Sequence, residues 1–210
     1  MLSTALVWIR NDLRVRDHAP LRYAADHYDQ VIPVYCFDPR HFGTTMFDLP
    51  KMSSIRARFL RESVQDLRDS VQDLGADLVV RRGRPEDILP ELVRQTGANE
   101  VLQFQEIGGE EEDVETAVED ALRDTGATPG FFWGKTLYHI DDVPFDGPDD
   151  IPKVYTNFRK AVEKKSTVRP TLDAPDSLLP LPEDLNPGSI PTLDELGFDD
   201  DGTVDERGVL

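Results

Sequence analysis

Two kinds of apolar run alternate along this chain. Residues 4–9, Thr4-Ala5-Leu6-Val7-Trp8-Ile9, and residues 31–36, Val31-Ile32-Pro33-Val34-Tyr35-Cys36, are almost unbroken and of strand length. Continuous apolarity over so short a stretch, bounded by polar loops, marks strands buried on both faces. Between 53 and 74 the period changes: Ile55, Phe59, Leu60, Val64, Leu67, Val71 and Leu74 recur at helical spacing, with Ser53 or Ser54 as N-cap and Gly75 as terminator. A shorter helix is expected over 20–25. Smaller units of the same kind follow: strand 78–80, helix 85–95 closed by Gly97, strand 100–104, helix 110–123 and strand 130–133. The helix over 110–123 carries Glu110, Glu111, Glu112 and Asp113 in its first turn, where the helix dipole favours anions. Strands alternating with helices in this way pair in parallel through right-handed crossovers, so the expected fold is an α/β open sheet with helices on both faces.

The pattern stops at residue 166. Residues 166–210 hold six prolines and eight aspartates and no apolar run longer than two. They read as a linker or wrapping segment behind a domain of residues 1–165. A segment of that length leads somewhere, so the chain is expected to be the front part of a longer protein.

Charge alters the picture more than composition does. With 41 acidic and 23 basic residues the chain is net −18; the acids are 27 Asp to 14 Glu, the bases 17 Arg to 6 Lys. Such a surface, taken as a whole, does not bind nucleic acid. An Asp-rich, Lys-poor balance is what concentrated salt, which screens like-charge repulsion, selects for, and a halophilic source is expected. The first apolar run ends at Arg10, too short for a signal peptide's core, and no apolar stretch reaches membrane-spanning length, so a soluble cytoplasmic protein is expected. Cys36, the single cysteine, reads as a small buried hydrophobe and not as half of a disulfide.

Functional groups of open parallel sheets collect at the carboxyl ends of the strands. Here those ends are 10–14, 36–40, 81–84, 103–109 and 134–136, and none contains a phosphate-cradling glycine fingerprint. Gly108-Gly109 reads as a turn before a well-capped helix, and His18, His27, His41 and His139 are not spaced as metal ligands. No nucleophile arrangement is visible, and no catalytic or metal-ligating residue is assigned. Trp8 and Trp133 read as core residues at strand ends. The residues alone support an acidic α/β domain with a binding edge.

Longer motifs go further. Val7-Trp8-Ile9-Arg10-Asn11-Asp12-Leu13-Arg14-Val15-Arg16-Asp17 closely resembles the opening signature of the photolyase and cryptochrome family. Cys36-Phe37-Asp38-Pro39-Arg40 with Phe47-Asp48-Leu49-Pro50-Lys51, the run 56–68, the run 133–145 and Tyr155-Thr156-Asn157-Phe158-Arg159-Lys160-Ala161-Val162-Glu163 resemble its DASH cryptochrome branch. The resemblance extends over residues 4–200. One departure is His18, where an asparagine is usual after Asp17, and little effect is expected from it.

The resemblance implies a sheet of five parallel strands in the order 3-2-1-4-5, forming a Rossmann-like amino-terminal antenna domain. A carboxy-terminal helical domain, absent from this sequence, would hold FAD and the lesion pocket. In that family an antenna pigment, usually methenyltetrahydrofolate in the DASH branch, passes light energy to reduced FAD for electron-transfer repair of pyrimidine-dimer DNA, single strands being favoured. Partners implied are therefore the helical domain and such DNA, with no membrane, and this chain is not a catalyst by itself. An acidic side chain from the loop and helix after the fourth strand holds the pterin ring; Glu111 corresponds best and Glu106 second, with Phe37 and Asp38 taken as further cofactor-binding positions. A free-standing ligand-binding or interaction module, a blue-light photoreceptor role, and a stress-protein-type nucleotide domain remain as alternatives, the last weakened by the missing phosphate loop.

Overall fold

A computed structural model describes residues 2–199. Residues 200–210 of the proline-rich segment lie outside the described residues. Five strands, β1 (Thr4–Ile9), β2 (Gln30–Phe37), β3 (Val79–Arg82), β4 (Glu100–Phe104) and β5 (Thr128–Phe132), form one all-parallel sheet in the order β3-β2-β1-β4-β5. This is the 3-2-1-4-5 order and Rossmann-like fold expected above.

Every residue of β1 and β2 is buried, because both faces of the sheet are covered. Successive side chains of β1 alternate between the two layers: Ala5, Val7 and Ile9 join one, Leu6 and Trp8 the other. The first layer is closed by α1 (Ala19–His27) and α2 (Ser54–Asp73) through Leu21, Ala24, Val64, Leu67 and Val71. The second is closed by α3 (Pro85–Thr96) and α4 (Gly109–Leu122) through Leu89, Leu92, Val93, Val118 and Leu122. The chain thus reverses direction across the sheet between β1 and β4, where open α/β sheets form their binding crevice.

Ser53 caps α2 as expected, its hydroxyl accepting from Arg56 N–H at 3.3 Å, and Gly97 closes α3 at φ 68°. Several boundaries and burials differ from expectation. The apolar stripe of α2 is only partly used, since Phe59 is 69% and Ile55 37% exposed. Twenty residues of helix run for about 30 Å, whereas its buried side chains other than Ala57 fall in the second half, at Val64, Leu67 and Val71. The first turns therefore add little to the core. β5 begins at Thr128, so Trp133 falls just outside it, half-buried, with its Nε1–H donating to Thr136 Oγ1 at 2.8 Å. It is not a core residue, because β5 is an edge strand and has little to cover beyond it.

Past β5 the chain makes an excursion containing α5 (Tyr155–Lys165), a helix the sequence pattern did not mark. It then crosses the domain again without regular structure except one 3₁₀ turn at Asp194–Leu196. No strand past Phe132 occurs among the described residues. The crossing segment is nonetheless packed. Leu178 and Leu196 enter the first layer and Leu185 the second. Its carbonyls also receive donors from the sheet's edge: Val80 N–H donates to Pro187 O at 2.7 Å and the Arg81 guanidinium to Asn186 O at 2.8 Å. An unpaired edge strand is an invitation to aggregation, and here the segment covers it. No helix among the described residues is long and apolar enough to cross a membrane.

Candidate functional site

The crevice lies where β1 and β2 end and the first turn of α4 hangs over them. Trp8, Ile9, Tyr35 and Cys36 form its floor, Asp38, Arg40 and His41 one wall, and Glu110, Glu111, Asp113 and Val114 the other; the volume is about 270 Å³. Lys51 closes the rim and donates to Glu110 at 2.5 Å.

The cations around this cleft are committed to protein acids. Arg10 lies over the Trp8 ring, its guanidinium carbon 4.6 Å from the ring centre, and donates to Glu115 Oε1 at 2.7 Å. The same oxygen accepts the Glu106 N–H at 2.8 Å. Burial pushes the Glu115 carboxyl up, and Arg10 with that N–H offsets only part of the rise. Arg40 reaches both Asp38, at 2.6 Å, and Glu86, at 2.7 Å. Burial alone would raise the Asp38 carboxyl; Arg40 outweighs it and holds Asp38 below the usual carboxylate range. Burial lowers the His41 pKa, so the imidazole on the cleft wall is neutral at pH 7. Cys36 is buried in an apolar strand, which pushes its thiol far up, consistent with a packing role.

Behind the cleft a second set of buried charges ties the loops together. Asp12 accepts from Arg10 N–H at 3.1 Å and pairs with His18 Nε2 at 2.5 Å. Burial would raise its pKa, but His18, with Lys135 at 3.8 Å, holds it down. His18 Nδ1 accepts the Leu21 N–H at 3.1 Å, so this buried ring caps α1. An asparagine would also cap; the histidine adds the contact with Asp12. Glu106 belongs to this network, receiving Lys135 at 2.9 Å and Asn11 at 3.3 Å. Gln103 is fully buried and its carboxamide has no hydrogen-bond partner among the described residues.

Of the four expected binding residues, Glu111 and Asp38 lie on facing walls of one cleft. Glu106 lies beside it, 9% exposed and held by Lys135. Phe37 does not line the cleft; 1% exposed, it packs in the α1/α2 layer against Tyr35, with ring centres 4.9 Å apart. Glu111 also folds back over Gly108, its carboxylate oxygen 2.2 Å from where a Cβ would stand, a contact that a flexible side chain can relieve by swinging aside. Sequence reasoning missed Glu115. Its signal was its spacing with Val118 and Leu122, which puts an acid on the buried stripe of α4, where a charge requires a partner. Chemically, the cleft offers an aromatic and apolar floor with unpaired acceptors on its rim, a place for a planar heterocycle bearing N–H groups and not for phosphates.

Comparison with known proteins gives a consistent picture. The DNA photolyase family model matches residues 5–179. The chain is 47% identical over 208 residues to cryptochrome DASH of Gloeobacter violaceus, covering 99% of this chain and 41% of that protein. It is 46% identical over 194 residues to cryptochrome DASH of Xenopus laevis, covering 91% and 37% respectively. Among solved structures, a cryptochrome from Synechocystis sp. PCC6803 is similar with a TM-score of 0.82 and 40% identity, over 86% of this chain and 38% of that one. The chain therefore spans about two fifths of the length of these relatives.

Proposed function

This chain belongs to the DNA photolyase family, in its cryptochrome DASH branch, and on that premise we propose that residues 1–165 are a light-harvesting domain that holds an antenna pigment in the β1/β2/α4 cleft. Residues 166–210 lead to a helical FAD-binding domain, which lies in the part of the relatives' length that this chain does not span. The pigment is a folate, methenyltetrahydrofolate, and the whole protein uses the energy it collects to drive flavin-dependent splitting of pyrimidine dimers.

The observation that carries this reading is Glu111, whose carboxylate stands on the cleft wall opposite the Arg40-held Asp38, over a floor that includes Trp8. A pterin presents adjacent N–H donors, and a carboxylate accepts two of them in a charge-assisted fork. The remaining groups supply position: Arg10, locked onto Glu115, fixes the Trp8 face, and Arg40, locked between Asp38 and Glu86, fixes the wall. When bound, the folate supplies near-ultraviolet absorption.

The test is the near-ultraviolet antenna band measured relative to the flavin band in full-length protein. Glu111→Gln puts an amide donor against the pterin donors, a loss of about 1–3 kcal/mol or about five- to hundredfold in affinity. Flavin content is expected to stay unchanged. A band retained in Glu111→Gln but lost in Glu106→Gln moves the pterin to Glu106; a band unaffected by either removes the pigment from this cleft.

A further inference from the structure

Charge is not spread evenly over this acidic chain. Residues 153–169 hold six of its 23 basic residues, Lys153, Arg159, Lys160, Lys164, Lys165 and Arg169, but only one of its 41 acids, Glu163. That stretch is net +5 while the rest of the chain is net −23. Four of the chain's six lysines fall within it, all four are exposed, and among the described residues none has an acidic partner, although Arg159 pairs with Glu163 and Arg169 with Asp142. The chain's other two lysines, Lys51 and Lys135, are each held by an acid, as are Arg10, Arg40 and Arg68.

α5 sorts these residues by face. At 3.6 residues per turn, half-buried Phe158 and Ala161 and buried Val162 share one side, turned to the domain. Thr156, Asn157, Lys160 and Lys164 share the opposite side and are all exposed. That side carries hydrogen-bond donors and positive charge and no large apolar group. The favourable position of Lys164 and Lys165 in the last turn accounts for part of the pattern; Lys153, before the helix, and Lys160, in its middle, gain nothing from the helix dipole.

We propose that the outer face of α5 is a contact for the phosphate backbone of nucleic acid, an electrostatic foothold on an otherwise repelling domain. It deepens the function proposed above and rests on DNA being the whole protein's partner. Charge complementarity selects a polyanion. The exposed positions Thr156, Asn157, Lys160 and Lys164 include no large apolar side chain, which argues against insertion into a lipid surface, and lysine contacts to phosphate position a strand without reading its bases. Screening lets a local patch act within a negative molecule, since charges more than about 10 Å away are largely screened at 0.1 M salt.

The experiment measures binding of fluorescent undamaged dT and dA oligonucleotides to this 210-residue chain by anisotropy. The wild type is expected to bind both equally, with Kd between about 1 and 100 µM at 0.1 M salt, and to release them as salt rises. K160E/K164E is expected to weaken binding at least about tenfold, because two phosphate contacts become repulsions. R94E/R123E, on α3 and just past α4, makes the same change in net charge and is expected to leave Kd within about twofold, as distant exposed charges are screened. Thermal melting confirms that both variants stay folded. No binding by the wild type, equal loss in the two variants, or equal binding to a polyglutamate peptide or to anionic lipid vesicles overturns the proposal. Failure here leaves the pigment assignment standing, because that is read from an absorption band; failure of the pigment assignment leaves the oligonucleotide result intact.

Discussion

Residues 133–169 contain a regular helix and yet bury one side chain well, Val162, whereas residues 170–198 have almost no regular structure and bury Leu178, Leu185, Leu193 and Leu196. The second segment is also tied to distant elements by its backbone. Leu178 N–H donates to Leu74 O at 2.7 Å, Asp17 N–H donates to Leu172 O at 2.7 Å, and Arg61 donates to Pro191 O at 3.0 Å. The first meets the rest of the domain through Lys135 on Glu106 and Asp12, and is otherwise held within itself, by Arg169 on Asp142 and by stacking of Phe145 on Phe158 with ring centres 5.6 Å apart. Secondary structure and anchoring are therefore separable. Hydrogen bonds inside a helix satisfy the helix itself, while an extended segment must satisfy its polar groups on something else and so becomes part of it.

The most severe way to break this contrast is to remove residues 170–210. Each buried leucine contributes about 1.5–3 kcal/mol, so four of them approach the whole stability of an ordinary domain, about 5–15 kcal/mol. The truncated protein is expected to lose its cooperative urea transition or to aggregate through the uncovered edge of β3. An unchanged transition midpoint means the segment is a passenger. Next comes Gly188→Ala. Gly188 sits at φ 78°, and a Cβ there would come 2.3 Å from Val80 O. The expected cost is about 1–3 kcal/mol, read from the same urea curves.

Acid should release the segment by a smaller step. Arg68 binds Asp77 at 2.7 Å while also donating to Gly188 O at 3.1 Å. Burial would raise the Asp77 carboxyl, but Arg68 and the Leu78 N–H hold it below its ordinary value. A carboxylate depressed in the folded state contributes fully above its unfolded pKa of about 3.9 and loses that contribution as pH falls through the folded value. Stability measured from pH 6 downward should therefore fall less steeply in Asp77→Asn, starting from a lower plateau. Equal slopes would detach this pair from the acid response. Smallest of all is Tyr155→Ser on α5: the ring is 72% exposed, and a change within about 0.5 kcal/mol is expected in the melting curve. A larger loss would show that α5 is anchored after all.

The same difference explains what was legible in advance. The strands, the long helix with its Ser53 cap and the αL glycine after α3 were readable, because period, caps and terminators are local properties of neighbouring residues. α5 was not marked: only Phe158, Ala161 and Val162 form its inward side, too few positions for the period to stand out in the sequence. Asp38 and Glu111, expected from their positions at strand and helix ends, line the cleft, whereas Phe37, one residue from Asp38, does not. Along an extended strand adjacent side chains face opposite ways, and only the actual packing shows which one meets the cleft.

The sequence by itself determined the five strands and the first four helices, the family and the acidic surface, since each is written in residue type and spacing. Only the tertiary structure decided that Arg10 meets Glu115, 105 residues away, that His18 both caps α1 and binds Asp12, and that proline-rich chain seals the edge of β3. Those contacts depend on the register of parallel strands and on which face each crossover takes, and a pattern confined to neighbouring residues carries no record of either.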